Sequence, residues 1–209
     1  MPRAFAHIAF TPEVRALQAR HGSAAAYDGF LAPDAPAANR LGPDEAAFIT
    51  ARDGFYQASV SSTGWPYVQF RGGRPGFLKV LDDRTLGYAD LRGNRQHLSA
   101  GNLSADGRVS LILMDYPARR RLKIWARADL TDAADAPDLA ARLAPPGRAW
   151  PTERAMILHV EAIDWNCPAH IPQRFTLDEI DARHAALVAS NRALSAENTR
   201  LNAALAGSA

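Results

Sequence analysis

Basic and polar residues are concentrated between positions 69 and 96 of this 209-residue chain. Arginine offers a bidentate hydrogen-bond donor, and a helix start adds free N–H groups and a positive dipole end, so the two together bind phosphate. Arg74 and Lys79 lie on either side of a predicted strand start, and Arg95 opens a predicted helix over residues 94–103. Spacing alone leaves two interpretations open, a phosphate site or a solvated basic rim. The cations concerned are Arg71, Arg74, Lys79, Arg84, Arg92 and Arg95.

Two neighbouring patterns are weaker signals. The segment RGGRPG at 71–76 is not a phosphate loop, because it lacks the Gly-Lys-Ser/Thr ending and no helical pattern follows it. We interpret its glycines as a strand bulge or as room for a flat ligand. The run RRRLK at 119–123 is predicted to be a solvated hairpin tip. It lacks the aromatic interleaving of a nucleic-acid surface, so no nucleic-acid partner is expected.

The common catalytic and metal motifs are missing from the sequence. The six histidines have no HExxH spacing, and no GxSxG occurs. The single cysteine, Cys167, excludes an internal disulfide and a zinc site of several cysteines, and we expect it to be a small buried hydrophobe. We therefore expect no metal. The string from Trp165 to His170 places an aromatic ring, an amide, a thiol and an imidazole at a strand end, where a pocket could lie.

Composition restricts the class of protein. Hydrophobic residues make up 47% and charged residues 22%, which is ordinary for a globular domain and excludes a wholly disordered chain. No run of 18 apolar residues is present, so no membrane association is expected. The first residues lack the apolar region of a secretory signal, and we expect a cytoplasmic protein. The net charge of +2 is too small to indicate nucleic-acid binding.

Secondary-structure patterns predict a mainly β protein. Residues 1–42 are expected to form a helical arm in which Thr11 caps a helix, and a second helix begins near Pro43. Several short strands with tight turns follow, which favours an antiparallel barrel over alternating βαβ units. Residues 43–175 are the predicted barrel domain. The predicted strands cover 55–61, 66–70, 77–81, 85–90, 108–115, 121–130 and 156–165.

A heptad pattern occupies residues 176–209. It predicts one long helix with Thr176 as its N-cap, and a seam two residues wide in seven, which suits a two-stranded coiled coil between copies. Asn191 and Asn198 at a positions favour a parallel dimer; the alternative is packing against the chain's own barrel. The a positions are Leu177, His184, Asn191, Asn198 and Leu205, and the d positions are Ile180, Leu187, Leu194 and Leu201.

The stretch from about residue 53 to 130 resembles the pyridoxamine 5'-phosphate oxidase-like family of flavin-binding split barrels. Trp65-Pro66-Tyr67, Arg74 with Lys79 five residues later, and Asn94-Arg95-Gln96 carry the resemblance. It implies that Arg74, Lys79 and the residues at 94–96 bind the phosphate of flavin mononucleotide (FMN), with Gln96 in place of a second basic residue. It also implies that Arg121 and Lys123 reach the flavin from a partner subunit, and that Trp165 lies near it.

The function implied by the resemblance is that of a homodimeric FMN flavoprotein with FMN at the subunit interface, an oxidoreductase whose substrate is unidentified. Two alternatives are a haem-binding or haem-degrading protein that uses His170, and a non-catalytic flavin-binding sensor. The full set of expected cofactor-binding residues is Gln69, Arg71, Arg74, Phe77, Leu78, Lys79, Asp90, Asn94, Arg95, Gln96, Arg121, Lys123 and Trp165.

Overall fold

A computed structural model describes residues 3–37, 39–145, 147, 150–165 and 168–206. The chain forms two compact units: Met1–Asp115 with Arg119–His170, and Tyr116–Ala118 with Ile171–Ala209. The first unit carries the sheet and the shorter helices, and the second carries the long C-terminal helix. The boundaries 42/43 and 175/176 expected from the sequence stay predictions.

The strands of the described residues are β1 Gly54–Val60, β2 Pro66–Gly72, β3 Lys79–Val80, β4 Thr85–Leu91, β5 Arg108–Asp115, β6 Arg120–Asp132 and β7 Thr152–Trp165. These seven antiparallel strands form one sheet in the order β2-β1-β5-β6-β7-β4-β3. Phe55 and Tyr88 lie on strands far apart in that order, yet their rings meet edge to face with centroids 5.5 Å apart. The sheet therefore curls around one core, and the predicted mainly β, antiparallel split barrel is confirmed.

The two longest strands, β6 and β7, pair along almost their whole lengths. A bulge at Glu161 interrupts this ladder, because Trp125 pairs with Ala162 and Ala126 with Val160. A second bulge at Glu153 interrupts the pairing of β7 with β4, where Asp90 faces Arg154 and Leu91 faces Thr152. Such one-residue insertions bend a strand and redirect its side chains.

The first strands alternate strictly between the two faces of the sheet. On β2 the even positions Val68 and Phe70 are 60% and 58% exposed, whereas Gln69 and Arg71 are half-buried. On β1, Phe55 and Gln57 are buried and Tyr56 is exposed. One face of β1 and β2 therefore closes the core, and the opposite face presents apolar side chains to solvent.

The helices of the first unit confirm some expectations and correct others. They are α1 Arg3–Ala9, α2 Pro12–Arg20, α3 Ala24–Asp28, α4 Pro43–Thr50, α5 Leu98–Ala105 and α6 Pro137–Leu143. Helix α2 begins at Pro12 after the Thr11 cap, whose hydroxyl accepts a hydrogen bond from the Val14 N–H. The sequence did not predict α1, α3 and α6, which are seven residues long or shorter.

Two predicted elements are shorter than expected. The helix predicted over 94–103 begins only at Leu98, because Arg95 and His97 adopt positive φ values of 60° and 54° that an α-helix does not permit. The strand predicted over 77–81 is reduced to Lys79–Val80. The Phe77 N–H donates to the Arg74 carbonyl, and this turn delays the start of the strand.

The second unit contains helix α7, Leu177–Ala206, close to the predicted bounds. The predicted Thr176 cap is present as a capping box. The Glu179 N–H donates to the Thr176 hydroxyl, and the Glu179 carboxylate accepts from the Thr176 N–H at 2.8 Å. No residue of α7 is buried.

Candidate functional site

A cavity of about 270 Å³ opens between β2, β4, the loop before α5 and the start of β7. Its size is slightly below the roughly 300–1,000 Å³ typical of small-molecule pockets. Fifteen residues line this cavity, hereafter the basic cavity: Tyr67, Gln69, Arg71, Asp90, Leu91, Gly93, Asn94, Arg95, Gln96, His97, Leu98, Ser99, Ala100, Glu153 and Arg154.

A buried carboxylate organises the floor of the basic cavity. The side chain of Asp90 is 6% exposed and accepts from Arg71 Nη1 at 2.6 Å. Its other oxygen accepts from Arg154 Nε at 3.0 Å and Nη2 at 2.8 Å. Because β4 and β7 are antiparallel neighbours, Asp90 lies directly opposite Arg154. The carboxylate holds both guanidinium groups in fixed orientations.

Arg71 retains unused donor capacity in this arrangement. Its Nε is buried and has no hydrogen-bond partner among the described residues. Its guanidinium also lies 5.8 Å from the centre of the Tyr88 ring. A buried N–H without a partner is costly, so a polar ligand atom that reached it would be stabilised.

The start of α5 forms one wall of the basic cavity. The first turn contains no acidic residue, so no carboxylate from within the helix offsets the positive end of its dipole. Ser99 is buried, and its hydroxyl donates to Gln69 Oε1 at 2.8 Å. Asn94 Oδ1 accepts from the Gln96 N–H at 3.2 Å and holds the preceding loop. This wall can receive an anion on backbone N–H groups.

Arg95 is the most accessible guanidinium of the lining. Its side chain is 62% exposed, and its nearest carboxylate, Glu153, lies 4.0 Å away. Arg92 is the same distance from that carboxylate. A surface pair at this distance contributes little to stability, so Arg95 can turn toward a ligand at small cost.

The structure brings together six of the predicted cofactor-binding residues in this lining: Gln69, Arg71, Asp90, Asn94, Arg95 and Gln96. Arg74 and Lys79 are not among the lining residues. Arg74 is exposed, and Lys79 is half-buried on β3 opposite Gly87. Leu78 is 1% exposed and belongs to the core. Phe77 stacks on Phe55 and borders a second cavity of about 210 Å³ that Arg71 also lines.

The other three predicted residues lie on β6 and at the end of β7. Lys123 Nζ is 3.8 Å from Asp164 Oδ2 and 5.7 Å from the centre of the Phe5 ring. Desolvation by burial raises the pKa of the Asp164 carboxyl, and the Lys123 charge only partly opposes this. Arg121 is paired with Met114 across β5 and β6.

Trp165 is fixed by the chain itself. Its indole N–H donates to Glu45 Oε1 at 2.6 Å, and its ring meets Phe48 edge to face. The predicted solvated tip at 119–123 is only partly right, because the exposed Arg120 lies 4.5 Å over the Trp165 ring. We call these residues the Trp165 cluster: Glu45, Phe48, Arg120, Lys123, Asp164 and Trp165.

Sequence reasoning missed Arg154, His97 and Ser99. Arg154 Nη2 lies 3.1 Å from His97 Nδ1, so it joins the floor of the basic cavity to the loop before α5. Only the register of β4 against β7 reveals this role. His170 is exposed and has a positive φ of 64°. The expectation for Cys167, like its neighbour Asn166, lies outside the described residues.

Two features are absent from the described residues. No group of three or more His, Cys, Asp or Glu side chains is placed to hold a metal ion. In the same part of the chain, no helix combines the length and the apolar character needed to cross a membrane.

Comparison with known proteins gives a family match and structural likenesses. The family model for pyridoxamine 5'-phosphate oxidase matches residues 41–164, more than half of the chain. No curated protein sequence matches. A variant of HupZ from Group A Streptococcus superposes with a TM-score of 0.50 at 17% identity, over 60% of this chain and 99% of that one. This likeness shows a shared fold.

Two further structures are similar at lower scores. A candidate pyridoxamine 5'-phosphate oxidase from Lactobacillus delbrueckii has a TM-score of 0.48 and 21% identity, over 60% of this chain and 94% of its own. An FMN-binding protein from Syntrophomonas wolfei has a TM-score of 0.45 and 11% identity, over 59% and 85%.

Proposed function

Because the chain belongs to the pyridoxamine 5'-phosphate oxidase family, we propose that it is an FMN-binding flavoprotein whose basic cavity holds the phosphate of the cofactor. The observation that carries this proposal is the convergence of three donor types in one cavity. These are the accessible guanidinium of Arg95, the start of α5 without acidic residues, and the guanidinium of Arg71 that Asp90 holds in the lining. A phosphate monoester needs several charge-assisted donors, since each offsets only part of its desolvation.

Within this proposal the residues of the cavity have separate tasks. Arg95 and the first N–H groups of α5 bind phosphate oxygens. Asp90 acts as a positioning residue, because it fixes the side chains of Arg71 and Arg154. Both of its oxygens accept hydrogen bonds from these arginines, so its negative charge is compensated before the phosphate binds. Gln69 accepts from Ser99 and keeps the helix start in place. The resemblance still assigns Arg74 and Lys79 to the cofactor, and that assignment stays a prediction.

Bound FMN would supply hydride or electron transfer, and the chain would bind and orient it. The proposed activity is that of an oxidoreductase with an unidentified substrate. A haem-binding protein and a flavin sensor remain the alternatives. The sensor would use the same basic cavity, so turnover and not geometry separates it from the oxidoreductase. The haem alternative would use His170, which is exposed.

The proposed homodimer is supported by the outward face of β1 and β2. Tyr56, Val60, Val68 and Phe70 are each at least 40% exposed on this face, and Trp65 beside it is 76% exposed. An uncovered apolar patch of this kind marks an interaction surface. The small volume of the basic cavity is consistent with a site that accommodates the phosphate end of FMN in one chain and is completed by a second copy.

Absorption spectroscopy and titration test the cofactor. We expect the protein to retain a flavin spectrum after FMN is added and unbound FMN is removed, and to bind riboflavin, which lacks the phosphate, at least tenfold more weakly. Equal affinity for the two flavins would contradict a phosphate site in the basic cavity. A haem spectrum with no flavin binding would favour the haem alternative, and flavin binding without turnover of any reduced nicotinamide would favour the sensor.

A substitution on the outward face tests the dimer. Val68→Asp places a charge in the proposed interface and should shift the protein toward monomer and weaken FMN binding. Glu13→Gln, on the exposed surface of α2, is the control. A Val68→Asp protein with unchanged mass and unchanged FMN affinity would remove this face from the proposal.

A further inference from the structure

Helix α7 is 30 residues long and none of its residues is buried. Most helices in proteins are stabilised by packing of an apolar face rather than by intrinsic propensity. The capping box at Thr176 fixes where α7 begins but supplies no apolar contact. A helix of this length with a continuous, uncovered apolar stripe therefore calls for a partner.

The stripe follows a heptad repeat. Six leucine or isoleucine residues at a and d positions are between 47% and 79% exposed: Leu177, Ile180, Leu187, Leu194, Leu201 and Leu205. A seam of this width, two residues in seven, fits a second helix of the same kind better than it fits a broad sheet face.

We infer that α7 pairs in parallel and in register with α7 of a second copy of this chain, as a two-stranded coiled coil. The polar residues at a positions favour this parallel, in-register partner over other arrangements. In a parallel, in-register pair, Asn191 meets Asn191 and Asn198 meets Asn198, and each amide can both donate to and accept from its twin. An antiparallel pair packs a against d, which would set these amides and His184 against leucines without partners.

The flanking positions are compatible with that pairing. In a parallel dimer each g residue faces the e residue five positions later on the other helix. Arg183 then faces Val188 of the second copy, and Glu197 faces Asn202. No like charges oppose each other across the seam. The Glu197 carboxylate is also held by Arg200 on its own helix at 2.6 Å.

Disulfide trapping on the full-length chain tests the register. In a Cys167→Ser background, His184→Cys and Asn198→Cys each place one thiol in the seam, and Ala189→Cys places one on the outer f position as a matched control. Under mild oxidation we expect both seam variants to form mostly covalent dimers, and the control to form at least tenfold less.

One result would overturn the inference. Cross-linking of the seam variants no greater than that of Ala189→Cys would mean that the stripe does not face its own copy. An antiparallel pair would also leave both His184→Cys and Asn198→Cys without a covalent dimer. In that arrangement the same residue of the two copies would lie roughly 15 Å or more apart.

A second pair of variants separates the coiled coil from the barrel dimer. Leu187→Glu with Leu194→Glu should abolish trapping of Asn198→Cys, whereas Ala186→Glu with Ala193→Glu, outside the seam, should not. Trapping that survives the leucine substitutions contradicts the inference. FMN affinity, measured on the same proteins, should be unchanged, so failure here is distinct from failure of the proposed cofactor.

Discussion

Strand β7 connects two regions that contain cationic and aromatic residues, the basic cavity at its start and the Trp165 cluster at its end. At its start, Arg154 and Arg71 converge on the buried Asp90, and Arg95 stays exposed with only a distant carboxylate. At its end, in the Trp165 cluster, Lys123 is near Asp164 and Phe5, and Arg120 covers the Trp165 ring. In the basic cavity, hydrogen-bond donors of the chain stay without close partners. In the Trp165 cluster, the chain's own side chains contact the corresponding cations and the indole N–H. The number of cations in a region therefore does not identify a ligand site; unsatisfied donors do.

The largest difference between the two regions should appear when Asp90 is removed. Asp90→Ala leaves two poorly exposed guanidinium groups without their shared carboxylate, and we expect the free energy of unfolding to fall by about 3–5 kcal/mol. Urea denaturation measures it. The control is Asp83→Ala, an exposed carboxylate paired with Arg40, which should cost less than about 1 kcal/mol. Equal losses would mean that Asp90 does not organise the basic cavity.

Arg95→Ala should weaken FMN binding about ten- to a hundredfold, because a charge-assisted hydrogen bond to phosphate contributes about 1.5–3 kcal/mol. Flavin titration measures the affinity. Arg20→Ala, at the exposed end of α2, is the control. Identical affinities of the two variants would exclude Arg95 from the site. Arg120→Ala is unsuitable as a control, since it also uncovers Trp165.

Lys79→Ala tests the part of the site that rests on resemblance. We expect it to weaken FMN binding in the same direction as Arg95→Ala but by less, because lysine acts as a point charge and cannot bind in bidentate fashion. Lys79 is half-buried outside the lining of the basic cavity. An affinity equal to that of the unmodified protein would remove Lys79 from the cofactor-binding set.

Trp165→Phe should destabilise the fold without changing the basic cavity. It removes the indole N–H that donates to Glu45 while it keeps an aromatic ring against Phe48, and we expect a loss of about 1.5 kcal/mol. Thermal unfolding measures this change. Since Glu45 also accepts from the Gly42 N–H, Glu45→Gln should reduce both contacts. No loss of stability in either variant would contradict the conclusion that the side chains of the Trp165 cluster stabilise the fold by binding one another.

The smallest expected effect is a pH dependence from Asp164. Desolvation raises the pKa of its carboxyl in the folded state, so the folded protein binds more protons than the unfolded chain once the pH exceeds about 4. Stability should therefore fall as the pH rises through the interval between the ordinary and the raised pKa. Asp164→Asn should lack this component. Unfolding curves recorded from pH 4 to pH 7 compare the two proteins, and parallel pH profiles would refute the assignment.

Alternating apolar and polar residues were enough to predict most strands, since burial imposes a period of two on residues such as those of β1 and β5. The start of α5 was not predictable, because the positive φ values of Arg95 and His97 belong to the folded loop. Helix α1 was missed for a similar reason. It contributes one buried aromatic ring, Phe5, which stacks on Trp125 at 4.2 Å, and that partner is distant in sequence.

The candidate site was predictable where its residues are close together in the sequence. Asn94, Arg95 and Gln96 stand side by side, and Gln69 and Arg71 share one face of one strand. Arg154 could not be found in this way. It lies 64 positions from Asp90 in the chain, and only the pairing of β4 with β7 brings the two together.

Strand β7 contains two bulges and sets the distance between the basic cavity and the Trp165 cluster. Eleven positions separate Arg154 from Trp165, which at about 3.3 Å per residue holds the two ends of the strand roughly 36 Å apart along its path. Glu153 and Glu161 are the two unpaired insertions along it. Deletion of Glu161 would remove only the extra residue, because Val160 already pairs with Ala126 and Ala162 with Trp125 on either side of it. Trp165 would keep its pairing with Leu122, and the strand would lose the bend between its two ends. The bulge therefore shapes the path of β7 between Arg154 and Trp165 and does not set the register of its end.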